Sequence, residues 1–344
     1  MSLFDFGSIG IDLGTANVRI YVKDKGIVLN EPTVVSVDRM SGKILAVGED
    51  ARLMLGRTPE NIVAVRPLKD GVIASFHDAE RMLRYFLSKV LDKRIFFKPN
   101  AVVCVPSGVT EVEKRAVIEV SQDAGIHHAF LMEEPVAAAI GAGLDVSAAY
   151  GNTVIDIGAG TTDVAIFSLG SIVISNSSKI AGNAFDEAII NYLRRRFDIV
   201  IGESTAEQIK INIGAAMEQA DNKKVHINAK SHITGLPKTI SISTNELAEA
   251  IKEPLDSLID MLLSFFEQVP PELSADIYGS GICITGGGAL LRGIDSLITQ
   301  KTGLECMIAE DPMACVAIGA GAAAENIDLY SNCMAIDYRK GEYY

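Results

Sequence analysis

Two stretches of this chain repeat each other, and that repeat constrains the fold more than any other feature. The first is Gly10-Ile11-Asp12-Leu13-Gly14-Thr15-Ala16-Asn17-Val18-Arg19-Ile20-Tyr21-Val22. The second is Val154-Ile155-Asp156-Ile157-Gly158-Ala159-Gly160-Thr161-Thr162-Asp163-Val164-Ala165-Ile166-Phe167. Each is an apolar run, an aspartate, a turn rich in glycine and threonine, and a second β-branched run, the pattern of a β-hairpin. Asp12 and Asp156 stand 144 residues apart, about one domain length, and 344 residues leave room for two such domains. The repeat therefore predicts two related α/β halves facing each other. No low-complexity linker separates them, so a tightly hinged pair is expected.

Composition narrows the function. Apolar residues make up 48% and charged residues 22%, enough for a substantial core and too little charge for wholesale disorder. Forty-four acids against 31 bases give a net charge of −13, which argues against a nucleic-acid coat protein. No apolar run reaches the ~20 residues of a spanning helix, and residues 1–6 lack the basic start of a signal peptide. Cys104, Cys283, Cys306, Cys315 and Cys333 are widely spaced without a Cys-x-x-Cys pair. They read as reduced, mostly buried residues of a cytoplasmic protein, not as metal ligands.

Between the repeats, residues 100–105 read as a strand stopped by Pro106. Residues 110–124 then read as a helix, with Thr110 as N-cap and Glu111 and Glu113 at the positive end of its dipole. Helices are predicted over residues 185–197, 206–220 and 245–269, and an alternating strand over 238–243. A buried strand at 282–285 runs into Gly286-Gly287-Gly288 and a helix over 289–302. Residues 34–73 and 182–247 look like equivalent insertions, small subdomains at the outer ends of a cleft.

A glycine and threonine turn at a strand end offers backbone N–H groups and a hydroxyl, the donors that phosphate oxygens need. Singly, such a turn is an ordinary tight turn. Two of them, one from each half, can clamp a triphosphate, with Asp12 and Asp156 holding magnesium through its waters; the alternative for the aspartates is turn capping. Glu133 and Glu134 precede Pro135 at a helix start. They read either as an ordinary acidic first turn or as a carboxylate that orients water for in-line attack on phosphate. Gly286 to Gly288 allow close approach of a ligand, and Glu207 and Lys210 share a helix face, as a surface ion pair or as a grip on a nucleoside. No Gly-x-x-x-x-Gly-Lys-Ser/Thr occurs, so this is not a P-loop protein. Residues 319–324 imitate a dinucleotide fingerprint without room for its βαβ unit and read as a close-packed helix. The adjacent His127 and His128 cannot both face one metal.

Ile11-Asp12-Leu13-Gly14-Thr15-Ala16-Asn17, Glu133-Glu134-Pro135, Asp156-Ile157-Gly158-Ala159-Gly160-Thr161-Thr162-Asp163, Glu207-Gln208-Ile209-Lys210 and Thr285-Gly286-Gly287-Gly288-Ala289-Leu290 together resemble the actin, sugar-kinase and heat-shock ATPase superfamily. In detail they resemble its bacterial actin-like cell-shape branch, over essentially the whole chain. The resemblance implies an actin-like (ribonuclease H-like) fold, with duplicated α/β domains around a central nucleotide cleft and a smaller subdomain on each. The large subdomains would be residues 1–33, 74–142 and 315–344, and residues 143–181 and 248–314; the small ones would be 34–73 and 182–247. It further implies a slow ATPase that binds ATP or ADP with Mg2+. Gly14, Thr15, Ala16 and Asn17 would form one phosphate loop and Gly158, Ala159 and Gly160 the other, with Asp12 and Asp156 serving the magnesium through water. Glu134 would polarise the attacking water and Thr161 help to place it. Glu207, Gln208, Ile209, Lys210, Gly286, Gly287, Gly288, Ala289 and Leu290 would hold the nucleoside. Expected partners are further copies of the chain, in paired filaments, the inner face of the cytoplasmic membrane and membrane cell-shape proteins, with no nucleic acid. The expected location is the cytoplasm, peripheral at that membrane.

Two departures from the family pattern stand out. Ala159 replaces a usual glycine and would cost about 1 kcal/mol if the position needs positive φ. The few residues before Ile9 are too short for the amphipathic helix many relatives carry. Membrane contact is then expected from Ile95-Phe96-Phe97, flanked by Lys93, Arg94 and Lys98; the other reading is a strand edge entering the core. A sugar or acetate kinase on the same fold needs an acceptor pocket and base near the first domain. A heat-shock chaperone needs more than the 20 residues that follow Ala324.

Overall fold

The computed structural model describes residues 8–91 and 98–335. Its framework is two sheets with one topology used twice. In the first half, strands Gly26–Pro32, Asn17–Val22 and Ile9–Leu13 form an antiparallel meander, and Ala101–Val105 and Ala129–Glu133 add in parallel beyond Ile9–Leu13. In the second, Ser171–Ser178, Thr162–Ser168 and Asn152–Ile157 make the meander, and Ile282–Thr285 and Cys306–Ile308 add in parallel. The first sheet gains a sixth strand, Met334–Ala335, at its edge. The repeats are the hairpins that the pattern predicts. Register pairs Asp12 with Arg19 and Asp156 with Asp163, so the same two positions face each other in both halves.

Every residue of Ile9–Leu13 and Asn152–Ile157 is buried, as expected for central strands covered by helices on both faces. Each half has its own core. A third apolar cluster, including Val102, Met132, Val136, Val154, Phe167 and Val316, joins them. At its centre the helices Glu134–Gly141 and Cys315–Glu325 cross closely. A Cβ on Gly319 would lie 1.8 Å from the Ala137 carbonyl oxygen, and one on Gly141 1.9 Å from that of Cys315. This reciprocal approach accounts for the glycines at 141 and 319, while Gly321 is small for another reason, since a Cβ there would meet the Tyr21 ring at 2.1 Å.

The segments between the third and fourth strands of each sheet carry the insertions. The first contains a small sheet of Val35–Asp38, Ile44–Val47 and Ile62–Val65; the second contains one of Ile199–Val200, Lys224–Ser231 and Pro237–Ser243. Three predicted helices differ from expectation, each for a local reason. The helix expected over 206–220 runs Glu203–Ile213 and stops at Gly214, whose backbone is extended. The one expected over 245–269 is two, Thr244–Ala250 with a Ser243–Glu246 capping box and Lys252–Phe266, whose first turn holds Pro254, a residue that cannot continue a helix. The one expected over 289–302 is a 3-10 turn, Gly287–Leu290, then Ile294–Thr302, separated by Gly293 at φ 79°. Among the described residues, no helix is long and apolar enough to cross a membrane.

Candidate functional site

The two hairpin turns point into one cavity of about 330 Å³ between the halves. Asp12 and Asp156, at matching positions near the ends of their strands, line its floor. Asp12 accepts a hydrogen bond from Arg19 Nη1 at 3.1 Å; burial raises its pKa and the guanidinium opposes the rise. Asp156 accepts from Thr285 Oγ1 at 2.7 Å, and burial carries its pKa to about 7. Glu134, the first residue of its helix, also lines the cavity. Its pKa is raised well above the ordinary value, first by burial and then by Asp163, Asp156 and Asp12. Acids thus outnumber the one arginine, and a bound cation would relieve their repulsion. Among the described residues no group of three or more His, Cys, Asp or Glu side chains is placed to hold a metal ion directly.

Gly14, Thr15, Ala16 and Asn17 line one side of the cavity, and Gly158, Ala159, Gly160 and Thr161 the other. The turns nearly touch, since a Cβ on Gly160 would lie 2.5 Å from Thr15 Oγ1. Thr15 Oγ1 also accepts the Gly71 N–H at 2.9 Å, which brings the Leu68–Lys69 and Val72–Ile73 hairpin against the first turn. The start of the helix Gly182–Phe197 buttresses the second turn: Gly182 N–H donates to Gly158 O at 3.1 Å and Asn183 N–H to Ala159 O at 2.8 Å. Ala159 is not among the positive-φ residues, so the strain expected of it is absent.

At the far end, Glu207 and Lys210 of the helix Glu203–Ile213 face the cavity together with Gly286, Gly287, Gly288 and Leu290. Three expected nucleoside contacts do not. Gln208 is exposed, Ile209 is packed in the second core, and Ala289 is fully buried there, because one helical turn cannot aim consecutive side chains at one cleft. Lys210 Nζ lies 2.9 Å from Asp186 Oδ2 and donates to Gly182 O at 2.8 Å. Burial raises the Asp186 pKa to about 6 despite that lysine. Ile95, Phe96 and Phe97 lie outside the described residues.

The fold and the cleft together do not decide between families, and the whole sequence does. Residues 7–332 match the MreB/Mbl protein family. The chain belongs to the MreB/Mbl family. It is 51% identical over 320 residues to the cell shape-determining protein Mbl of Bacillus cereus, covering 93% of this chain and 96% of that protein. It is 50% identical over 328 residues to the cell shape-determining protein MreB of Escherichia coli, covering 94% of each. The crystal structure of MreB 5 of Spiroplasma citri bound to AMPPNP superposes with a TM-score of 0.89 at 37% identity, over 94% of this chain and 97% of that one. The fold is therefore actin-like.

The cleft also holds residues that motif reading missed. Arg19 was legible in principle, since hairpin register places it opposite Asp12. Asp186, Phe185 and Asn183 come from the helix that follows the second meander, and Pro312, Met313 and Val316 from the segment after the last sheet strand. No local pattern marks these residues; only the closed fold brings them to the cleft.

Proposed function

We propose that this chain is a cytoskeletal ATPase that binds Mg-ATP between its halves, polymerises into membrane-associated paired filaments and takes part in determining cell shape. One observation carries the reading. Both hairpin turns, two buried aspartates and the buried carboxylate of Glu134 meet in a single cleft. The relatives' designation as cell shape-determining proteins and the AMPPNP-bound neighbour support it.

In this reading the amides of both turns and the Thr15 hydroxyl bind the phosphates. Asp12 and Asp156 would hold Mg2+ through water, and the ion bound there would supply positive charge against the phosphates. Glu134 sits among acids in a desolvated site, which makes its ionised carboxylate a strong proton acceptor. It orients the attacking water and takes its proton, with the Thr161 hydroxyl helping to place that water. Glu207, Lys210, Gly286, Gly287, Gly288 and Leu290 grip the nucleoside. Hydrolysis then times filament stability, and no metabolite is made.

Phosphate release and nucleotide binding by Glu134→Ala test the chemistry. Turnover should fall on the order of 10²-fold or more while nucleotide affinity stays near wild type. Unchanged turnover removes Glu134 from the mechanism. For the membrane, Ile95-Phe96-Phe97 with its basic flanks is the contact we propose. Replacing Phe96 and Phe97 by Ser should weaken binding to anionic liposomes and leave ATP hydrolysis intact. Joint loss of both activities would instead place these residues in the core.

A further inference from the structure

We propose that Ser107 is a positioning residue that holds Glu134 and Thr161 in register across the cleft. The inference rests on the roles given to those two residues above.

Ser107 follows Pro106 at the end of the strand Ala101–Val105 and is 4% exposed. Its hydroxyl donates to Glu133 Oε2 at 2.5 Å, and its backbone N–H donates to Asp163 Oδ1 at 2.8 Å. Glu133 ends the strand Ala129–Glu133 and stands at the N-cap position of the helix that begins with Glu134, without a side-chain capping bond, so the hydroxyl is tied one peptide away from the water-orienting carboxylate. Asp163 is fully buried on the strand Thr162–Ser168, two residues beyond Thr161. The first half thus supplies Ser107 and Glu133, and the second supplies Asp163. One residue joins the two elements that carry the water-handling pair.

The packing between the halves is otherwise largely apolar, through the cluster that contains Val136, Phe167 and Val316. Apolar contact is non-directional and constrains orientation only through shape. A hydrogen bond to a carboxylate is directional and stronger than a neutral one, and two of them from one residue fix both partners. In-line attack depends on such placement, because a misplacement of 1 Å costs on the order of 10²-fold in rate.

The test is phosphate release by the full chain at saturating Mg-ATP, with nucleotide affinity and thermal unfolding measured beside it. Ser107→Ala keeps the amide bond to Asp163 and removes the link to Glu133. It should lower turnover about ten- to hundredfold with nucleotide affinity near wild type. Ser107→Thr, which keeps a hydroxyl, should recover most of the loss, and Glu133→Gln, which keeps an acceptor, should stay far more active than Glu133→Ala. The glutamate pair carries the test if Ser107→Ala does not fold. Wild-type turnover in Ser107→Ala, a loss that follows nucleotide affinity, or equal activity of Glu133→Gln and Glu133→Ala overturns the proposal. Glu134→Ala is the reference. If turnover survives that change, the reading of Glu134 falls and this inference with it; if turnover is lost there but kept in Ser107→Ala, this inference alone falls.

Discussion

Asp186 pairs with Lys210 near the nucleoside end of the cleft, yet burial outweighs the lysine and lifts its pKa from 3.8 to about 6. The sign of the consequence follows from proton linkage. Below about pH 4 both the folded and the unfolded chain hold this proton. Between about pH 4 and pH 6 the unfolded chain has lost it and the folded chain keeps it, so folding is progressively disfavoured as pH rises. Above about pH 6 the penalty is complete, on the order of 3 kcal/mol. Urea unfolding of wild type and Asp186→Asn at several pH values isolates this contribution from those of the other buried acids. The wild type should lose stability relative to the variant from pH 4 to 6, and parallel pH curves would show that Asp186 titrates normally. At this scale the sequence was informative where chemistry repeats: the doubled motif marked Asp12, Asp156 and both turns. It was silent on Asp186, whose neighbours in sequence form an ordinary amphipathic helix.

At the scale of elements, the helix Glu134–Gly141, which presents the carboxylate proposed to act on water, is held by its close crossing with the helix Cys315–Glu325. Gly319→Ala would place a methyl 1.8 Å from the Ala137 carbonyl oxygen, against backbone that can yield only if the helices part. Overpacking of this kind costs about 1–3 kcal/mol, and thermal unfolding should show a clearly lowered midpoint. An unchanged midpoint would mean that the crossing is loose. The hairpins, the buried strands and this close-packed helix were readable from residue pattern, since period and composition determine them locally. The helix breaks at Gly214, Ile251 and Gly293 were not read. Glycine is tolerated within a helical pattern, so whether it ends the element depends on what the next residues pack against. The strand Lys224–Ser231 was not read either, although Val225, Ile227 and Ala229 alternate with polar residues along it.

For the whole molecule, the duplicated sheet order makes each half a complete unit, and the cleft exists only because the two are held face to face. Two halves joined at a hinge and sharing one bound nucleotide can couple its state to their relative orientation, and assembly into a filament can favour one orientation. In the function proposed above hydrolysis is tied to the filament, so assembly should complete the catalytic arrangement. Phosphate release from Mg-ATP, measured per protomer across a range of protein concentrations, tests it most directly. The rate per protomer should rise above a threshold concentration, together with the appearance of sedimentable polymer. A constant rate per protomer through that range would contradict the account and show that each molecule hydrolyses nucleotide alone.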